Sequence, residues 1–403
     1  MSGVWADLIG QWRAVAVLRR AVDGAEHAMT HAWLITGPPG SGRSTAAKAF
    51  AAALQCQWHG CGECQDCRTV LAGSHPDVTL VRTEKLSIGV DQIRELARRS
   101  AMTPRMRKWQ VLVIEDADRI TDYGANALLK SIEEPPPRTV WILCAPSSED
   151  VIPTIRSRCR ELRLVSPTDA AVAQLLISRD GVNPELAYEV ARIAGGHVGK
   201  ARGLARDLVA RQAREALLKL PTQLDSVGAC LQAAADIVAK SESEVKAEVA
   251  ALNTRERAET EALYTAAKGG ARSREAQSAL KRLDEEQKAR EKRLQRDRLD
   301  SALTELTTWY RDVLALQLGA VTIPPTAADL ASDSDSDTDT EPPAAVAIIN
   351  LSAYADLTAA AAATTPERTI ASLDAILQAR RAIESNVAPL LALEAMMLTL
   401  GGQ

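Results

Sequence analysis

The sequence predicts an α/β protein: a parallel sheet flanked by helices, continued by an all-helical C-terminal half. Three observations predict it. Short apolar runs alternate with helical patterns up to about residue 164. A glycine-rich loop joins the first run to a helix. From residue 208 on, no strand-like segment of any length occurs.

At 403 residues the chain has room for two or three domains of ordinary size. An apolar content of 46% is ample for packed cores, and a net charge of −4 argues against coating nucleic acid by bulk electrostatics. Aromatic residues make up 3%, with a single Phe, too few for a base-stacking platform. No apolar run approaches the roughly 20 residues that span a bilayer. Asp7 interrupts the N-terminus and no secretory apolar core follows it. A cytoplasmic location is expected, with the seven cysteines reduced or metal-bound rather than cross-linked.

Residues 5–22 carry apolar residues at helical spacing, with Gly10-Gln11 as a short loop before the helix. Ala32-Trp33-Leu34-Ile35 reads as a buried strand and residues 46–54 as a helix. Between them lies Gly37-Pro38-Pro39-Gly40-Ser41-Gly42-Arg43-Ser44-Thr45. Strand, glycine-rich loop and helix form the context of a phosphate-binding loop. The glycines let consecutive backbone N–H groups turn inward around an anion, and the helix N-terminus adds its positive end. Ser44 stands where a hydroxyl would ligate Mg²⁺. The pattern asks for Lys at position 43, where this chain has Arg, a bulkier planar fork. Such a loop can still hold ATP or ADP with Mg²⁺, but fast hydrolysis is not expected. The alternative is a Gly/Pro-rich turn between strand and helix.

Next come Cys56, Cys61, Cys64 and Cys67. Four thiols with two overlapping C-x₂-C pairs can close a tetrahedron around Zn²⁺, with Gly60 and Gly62 allowing tight turns. Four cysteines leave no open position for water, so the ion is expected to be structural and to pin a hairpin-like insertion. His59 is not needed for such a site. A redox pair or scattered core cysteines are the alternatives.

Residues 77–82 read as a second strand, 88–100 as a helix, and Gln110–Ile114 as a third strand ending in Glu115 and Asp116. Carboxylates at the tip of a buried strand beside a phosphate loop hold Mg²⁺ or orient water. A working ATPase has Asp before Glu, and here the order is exchanged. A solvated strand end is the alternative. The helix around 126–134 is stopped by Pro135-Pro136, Val140–Ala145 is another buried strand, and Glu161–Leu164 the last. The binding site of such a sheet lies at its strand C-termini.

Residues 167–207 read as helical, broken at Gly195-Gly196. Residues 241–319 are charge-rich, and thirteen of the eighteen residues in 281–298 are charged. With leucines at steps of three to five, this predicts a long helical hairpin turning at Gly269-Gly270, whose mixed charges favour a solvated face over a nucleic-acid site. Residues 327–345, with Ser332–Glu341 nearly all Ser, Asp or Thr, predict an acidic disordered loop. Two amphipathic helices close the chain over 366–400.

Several motifs together resemble one family. They are Val4-Trp5-Ala6-Asp7-Leu8-Ile9-Gly10-Gln11, the phosphate loop, the four cysteines after its helix, and Asn126-Ala127-Leu128-Leu129-Lys130-Ser131-Ile132-Glu133-Glu134-Pro135-Pro136. Ser157-Arg158-Cys159 is the most telling. The resemblance is to the AAA+ clamp loaders of bacterial DNA polymerase III, and most closely to delta-prime-type subunits. It covers residues 1 to about 207, while Ala379–Asn386 and Pro389–Glu394 look like the family's collar helices.

The resemblance implies a AAA+ domain with a zinc module over 1–166, a helical lid over 167–207 and a helical collar over 208–403. It implies a DNA-replication role in the polymerase III holoenzyme, as a weak or absent ATPase. The partners would be gamma/tau and delta subunits in a hetero-pentamer, and indirectly the sliding clamp and primer-template DNA. Arg158 would be an arginine finger acting in trans on a neighbour's γ-phosphate, neutralising charge on the transferring phosphoryl group. A salt bridge to Glu161 or another nearby acid is the plainer role for Arg158. Departures from the motor subunits accumulate: Arg43, the exchanged Glu115-Asp116, Ala145 for a polar sensor residue, and Gly199 near the second sensor position. The alternatives are a gamma/tau-like motor or a zinc-dependent DNA-binding relative.

Overall fold

The computed structural model describes residues 3–83, 87–104, 108–265, 274–322 and 346–402. The chain divides into two compact units, Met1–Arg206 and Asp207–Gln403.

The first unit opens with α1 (Trp12–Val22), β1 (Ala32–Thr36), α2 (Arg43–Gln55) and α3 (Gln65–Leu71). It continues with β2 (Val78–Val81), α4 (Val90–Ser100), β3 (Gln110–Ile114), α5 (Asp122–Glu133), β4 (Thr139–Ala145), the short α6 (Pro153–Arg156) and β5 (Arg160–Arg163). The five strands form one parallel sheet in the order β2-β3-β4-β1-β5. Strand side chains alternate between faces. Trp33, Ile35, Val111, Val113, Val140 and Ile142 share a core with residues of α1, α2 and α3. Leu34, Leu112, Ile114, Trp141 and Leu143 share the opposite core with α4, α5 and α6. Cover on both faces explains why β1, β3 and β4 read as unbroken apolar runs. The edge strand β5 instead exposes Arg160, Glu161 and Arg163, which discourages pairing with another chain.

Local signals set the helix ends. Thr121 accepts a hydrogen bond from the Gly124 N–H at the start of α5, and the helix ends before Pro135. Three helices follow: α7 (Asp169–Asp180), α8 (Pro184–Ala194) and α9 (Val198–Arg206). Thr168 caps α7 and Gly195, with φ of 54°, ends α8. Val172, Leu176, Val190, Ala191 and Ala201 are buried among these helices.

The second unit holds α10 (Leu208–Lys219), α11 (Val227–Thr265), α12 (Arg274–Gln317), α13 (Tyr354–Ala363), α14 (Pro366–Glu384) and α15 (Pro389–Gly401). Leu299, Leu303, Leu306, Trp309 and Val313 of α12 pack with Ile376, Ile383, Leu393, Met396 and Met397. Beyond this core α11 and α12 pair antiparallel along a polar seam. Arg298 meets Glu248 at 2.8 Å, Arg290 meets Glu256 at 2.8 Å and Arg257 meets Asp284 at 3.0 Å. The charge-rich hairpin is therefore laced by ion pairs between its two helices.

Two features differ from the sequence reading. Val321–Thr322 (β6) and Val346–Ala347 (β7) form a two-residue parallel pair where no strand was expected. Pieces that short carry no periodicity. The helix α13 is not predicted by the sequence, because its Ala359–Ala363 run has no polar face to mark a period. The turn at Gly269-Gly270 and the acidic loop 327–345 lie outside the described residues. No helix among the described residues is long and apolar enough to cross a membrane.

Candidate phosphate loop, cysteine cluster and exposed arginine

The loop after β1 lies at the C-terminal edge of the sheet, between β4 and β5. Gly40 and Gly42 take φ of 84° and 93°, left-handed backbone that glycine adopts without strain. A Cβ on Gly40 would lie 2.3 Å from His197 Cγ, so the residue just before α9 sits directly on the loop. Gln11, 3% exposed, ties the loop to the end of β5. Its Nε2 donates to the Ser41 carbonyl at 3.2 Å and to the Val165 carbonyl at 2.5 Å, and its Oε1 accepts from the Val165 N–H at 3.2 Å. His197 and Gln11 are contacts that sequence spacing alone did not assign.

Two polar atoms at the loop, Ser41 Oγ and Arg43 Nη1, are buried without a hydrogen-bond partner. Buried donors of this kind are costly unless an acceptor serves them. Ser44 lies in the first turn of α2, and Lys48 follows one turn later. Lys48 Nζ is 3.3 Å from Oε1 of Glu115 at the end of β3. Asp116 Oδ2 accepts the Thr83 N–H at 3.2 Å. Burial pushes the Asp118 carboxyl up, opposed in part by Arg119 and Arg43. Ala145 is fully buried at the end of β4. Burial, and next Glu115, push the neighbouring Cys144 thiol up to about 12. Gly199 lies 3.3 Å, from its would-be Cβ, to the His197 ring, and nearby Arg202 is paired with Asp180 at 2.8 Å.

The four sulfurs of Cys56, Cys61, Cys64 and Cys67 all lie within 4.8 Å of one another. Cys56 Sγ is 3.6 Å from Cys61 Sγ and 3.7 Å from Cys64 Sγ. Sulfurs about 2.3 Å from a tetrahedral Zn²⁺ stand about 3.8 Å apart, so the donor set fits a metal ion. Backbone N–H groups of Trp58, Cys64 and Cys67 donate to Cys56, Cys61 and Cys64 Sγ at 3.3, 3.4 and 3.4 Å. Burial opposes ionisation of Cys56, yet backbone hydrogen bonds from Cys61, Gly60 and Trp58 bring it down to about 6. Burial pushes Cys64 and Cys67 up.

The cluster is not the hairpin-like insertion that the spacing suggested. Cys56 ends α2, and Cys67 lies on α3, whose N-terminus is capped by the Cys64 sulfur. The N-terminal segment clamps it: the Val4 N–H donates to the Gly60 carbonyl at 3.0 Å. Asp66 anchors the other side through Lys108 at 2.7 Å. His59 is turned away, with Nδ1 2.5 Å from Asp23 Oδ1.

Arg158 follows α6, with its side chain 39% exposed. Its Nε donates to Glu133 Oε1 at 2.6 Å and its Nη1 to the Thr154 carbonyl at 2.8 Å. The acid it meets is Glu133, at the end of α5, and not Glu161, which accepts from Thr36 Oγ1 at 3.2 Å.

Residues 10–168 match the family described as "DNA polymerase III, delta subunit". A DNA polymerase III subunit delta' of Pseudomonas aeruginosa is 36% identical over 179 residues, 43% of this chain and 54% of that protein. The Bacillus subtilis delta' is 32% identical over 195 residues, 48% of this chain and 59% of its own. A gamma/tau subunit of Mycobacterium tuberculosis is 33% identical over 201 residues, 48% of this chain and 34% of that protein. The chain thus spans about a third to three fifths of these curated relatives. A solved DNA polymerase III gamma subunit-related protein of Thermotoga maritima aligns over 96% of this chain and 99% of its own, at TM-score 0.41 and 16% identity. Over residues 10–168 the chain is thus similar to the family described as "DNA polymerase III, delta subunit", and in its N-terminal half to delta' and gamma/tau subunits of DNA polymerase III.

Proposed function

We propose that this protein is a delta-prime-type clamp-loader subunit, a stator that assembles with gamma/tau and delta subunits and helps place the sliding clamp on primed DNA. Residues 1–166 act as the AAA+ domain, 167–207 as its lid and 208–403 as the collar. The four cysteines hold one structural Zn²⁺. The loop at 37–45 cradles nucleotide phosphates without turning them over quickly. The buried, unpartnered Ser41 Oγ and Arg43 Nη1 support an anion there. Exposed Ile370 and Leu377 on α14, with Leu390 and Leu391 on α15, support a collar face that other subunits cover.

The observation that carries the reading is Arg158. It is exposed at the position of the resembling family's finger, and among the described residues it pairs with Glu133, itself exposed. Exposed pairs are worth about 0–1 kcal/mol, so a neighbour's phosphate can take the guanidinium from Glu133 at small cost. A finger supplied in trans is worth about 10³–10⁵ in rate. Arg158→Ala should therefore suppress the clamp-stimulated ATPase of the reconstituted complex at least about a hundredfold while assembly, read by gel filtration, is retained. Unchanged ATPase in that complex removes the finger.

The identity to gamma/tau subunits supports a second reading, a motor in its own right. It requires steady ATP turnover by the purified chain alone, abolished by Ser44→Ala.

A further inference from the structure

The reading of 37–45 as a nucleotide site calls for Mg²⁺ between the Ser44 hydroxyl and an acid at the end of β3. The donor set does not fit that ion. Ser44 and Lys48 stand four residues apart on α2 and so share one face of the helix. On that face the Lys48 ammonium lies 3.3 Å from Glu115 Oε1, and the Glu115 side chain is only 10% exposed. Mg²⁺ needs oxygen at about 2.1 Å in a near-octahedral shell. To use Glu115 it would have to displace the ammonium and then face it as a like charge. Asp116 is engaged as well, by the Thr83 N–H at 3.2 Å.

A second cation begins the same helix. Arg43 replaces the lysine of the loop, and its Nη1 is buried without a hydrogen-bond partner. The Cys144 thiol, raised first by burial, also feels Glu115, Arg43, Asp116 and Lys48, in keeping with charges of both signs on this side of the sheet. Glu115 is thus balanced by the chain's own Lys48. In a metal-dependent site the carboxylate would be left for the divalent ion to neutralise.

We propose that Lys48 neutralises Glu115 in place of a divalent cation, so that the loop, with Arg43, takes the phosphates of a metal-free nucleoside di- or triphosphate. This rests on the reading of the loop as a phosphate cradle. It also gives a physical reason for slow hydrolysis. An ammonium held by Glu115 cannot bridge β- and γ-oxygens as a hydrated Mg²⁺ does, and the acid that would organise water is occupied.

The test is calorimetric titration of the full chain with ADP and ATP, in Mg²⁺ and in EDTA. The expected wild-type affinities agree within about twofold in the two buffers. Lys48→Met should weaken ADP binding in EDTA about tenfold and restore it with Mg²⁺, because Glu115 is then free to serve the ion. Wild-type binding tighter by tenfold or more in Mg²⁺ would overturn the inference and leave the cradle standing. A Lys48→Met chain as indifferent to Mg²⁺ as wild type would also overturn it. Absence of ADP and ATP binding in both buffers would remove the cradle itself, and the inference with it. The wild-type comparison needs no variant, so it decides even if Lys48→Met folds poorly.

Discussion

Arg214 offers the sharpest test of how the helical unit is held. Its side chain is 7% exposed, and that of Glu305, its partner on α12, is 8% exposed. Arg214 Nε donates to Glu305 Oε2 at 2.6 Å, and Nη2 donates to Asn350 Oδ1. Asn350 in turn donates through Nδ2 to Thr308 Oγ1 at 3.1 Å and to Asp312 Oδ2 at 2.9 Å. Asp312, with a fully buried side chain, also accepts the backbone N–H groups of Ile349 and Asn350. The network therefore fixes α10, α12 and the segment before α13 to one another. Arg214→Met keeps most of the volume and removes the cation, leaving the Glu305 carboxylate buried without it. Breaking a buried pair from one side costs about 3–5 kcal/mol, whereas replacing both members with apolar residues is often neutral. Hydrogen exchange of the full chain, read on peptides of α10 and α12, should accelerate about 10²–10⁴-fold in Arg214→Met and recover in Arg214→Met/Glu305→Leu. Acceleration below about tenfold in the single variant, or no recovery in the double, would refute the burial argument.

Two further outcomes follow from the N-terminal unit. Elemental analysis of purified protein should give one Zn²⁺ per chain, and Cys64→Ser should lose it together with protection of α3 in hydrogen exchange. A folded chain free of metal would remove the zinc assignment. His75 is 6% exposed, and burial lowers its pKa below 6.5, against the raising influence of Asp77 and Asp66. The folded state thus disfavours protonated His75, so its share of stability is complete above pH 6.5 and falls as the pH drops below that value. Thermal melting should decline from pH 6.5 to 5.5, and less steeply in His75→Gln. An equal decline in both would show that His75 is not the group responsible.

Much of the first unit could be read from residue order, and the reason is physical. Strands covered on both faces must be apolar throughout, so β1, β3 and β4 announce themselves, and Gly40 and Gly42 mark backbone that only glycine adopts cheaply. Four closely spaced cysteines mark a sulfur cluster that could hold a metal ion, because such a site needs few residues at short range. Long amphipathic stretches fix α12 and α14 by period alone. The short β6 and β7 pair and the alanine-rich α13 escaped because neither carries a period.

What only the tertiary structure decided is which side chains meet across the chain. Lys48 on Glu115, His197 on Gly40, Gln11 between Ser41 and Val165, and Glu133 rather than Glu161 on Arg158 all join residues far apart in sequence. Each is a charge or hydrogen-bond choice among several equally plausible partners. Composition and period constrain such choices weakly, because a surface or cleft acid is chemically the same wherever it stands. Only the packing of the sheet and its helices brings one of them within reach.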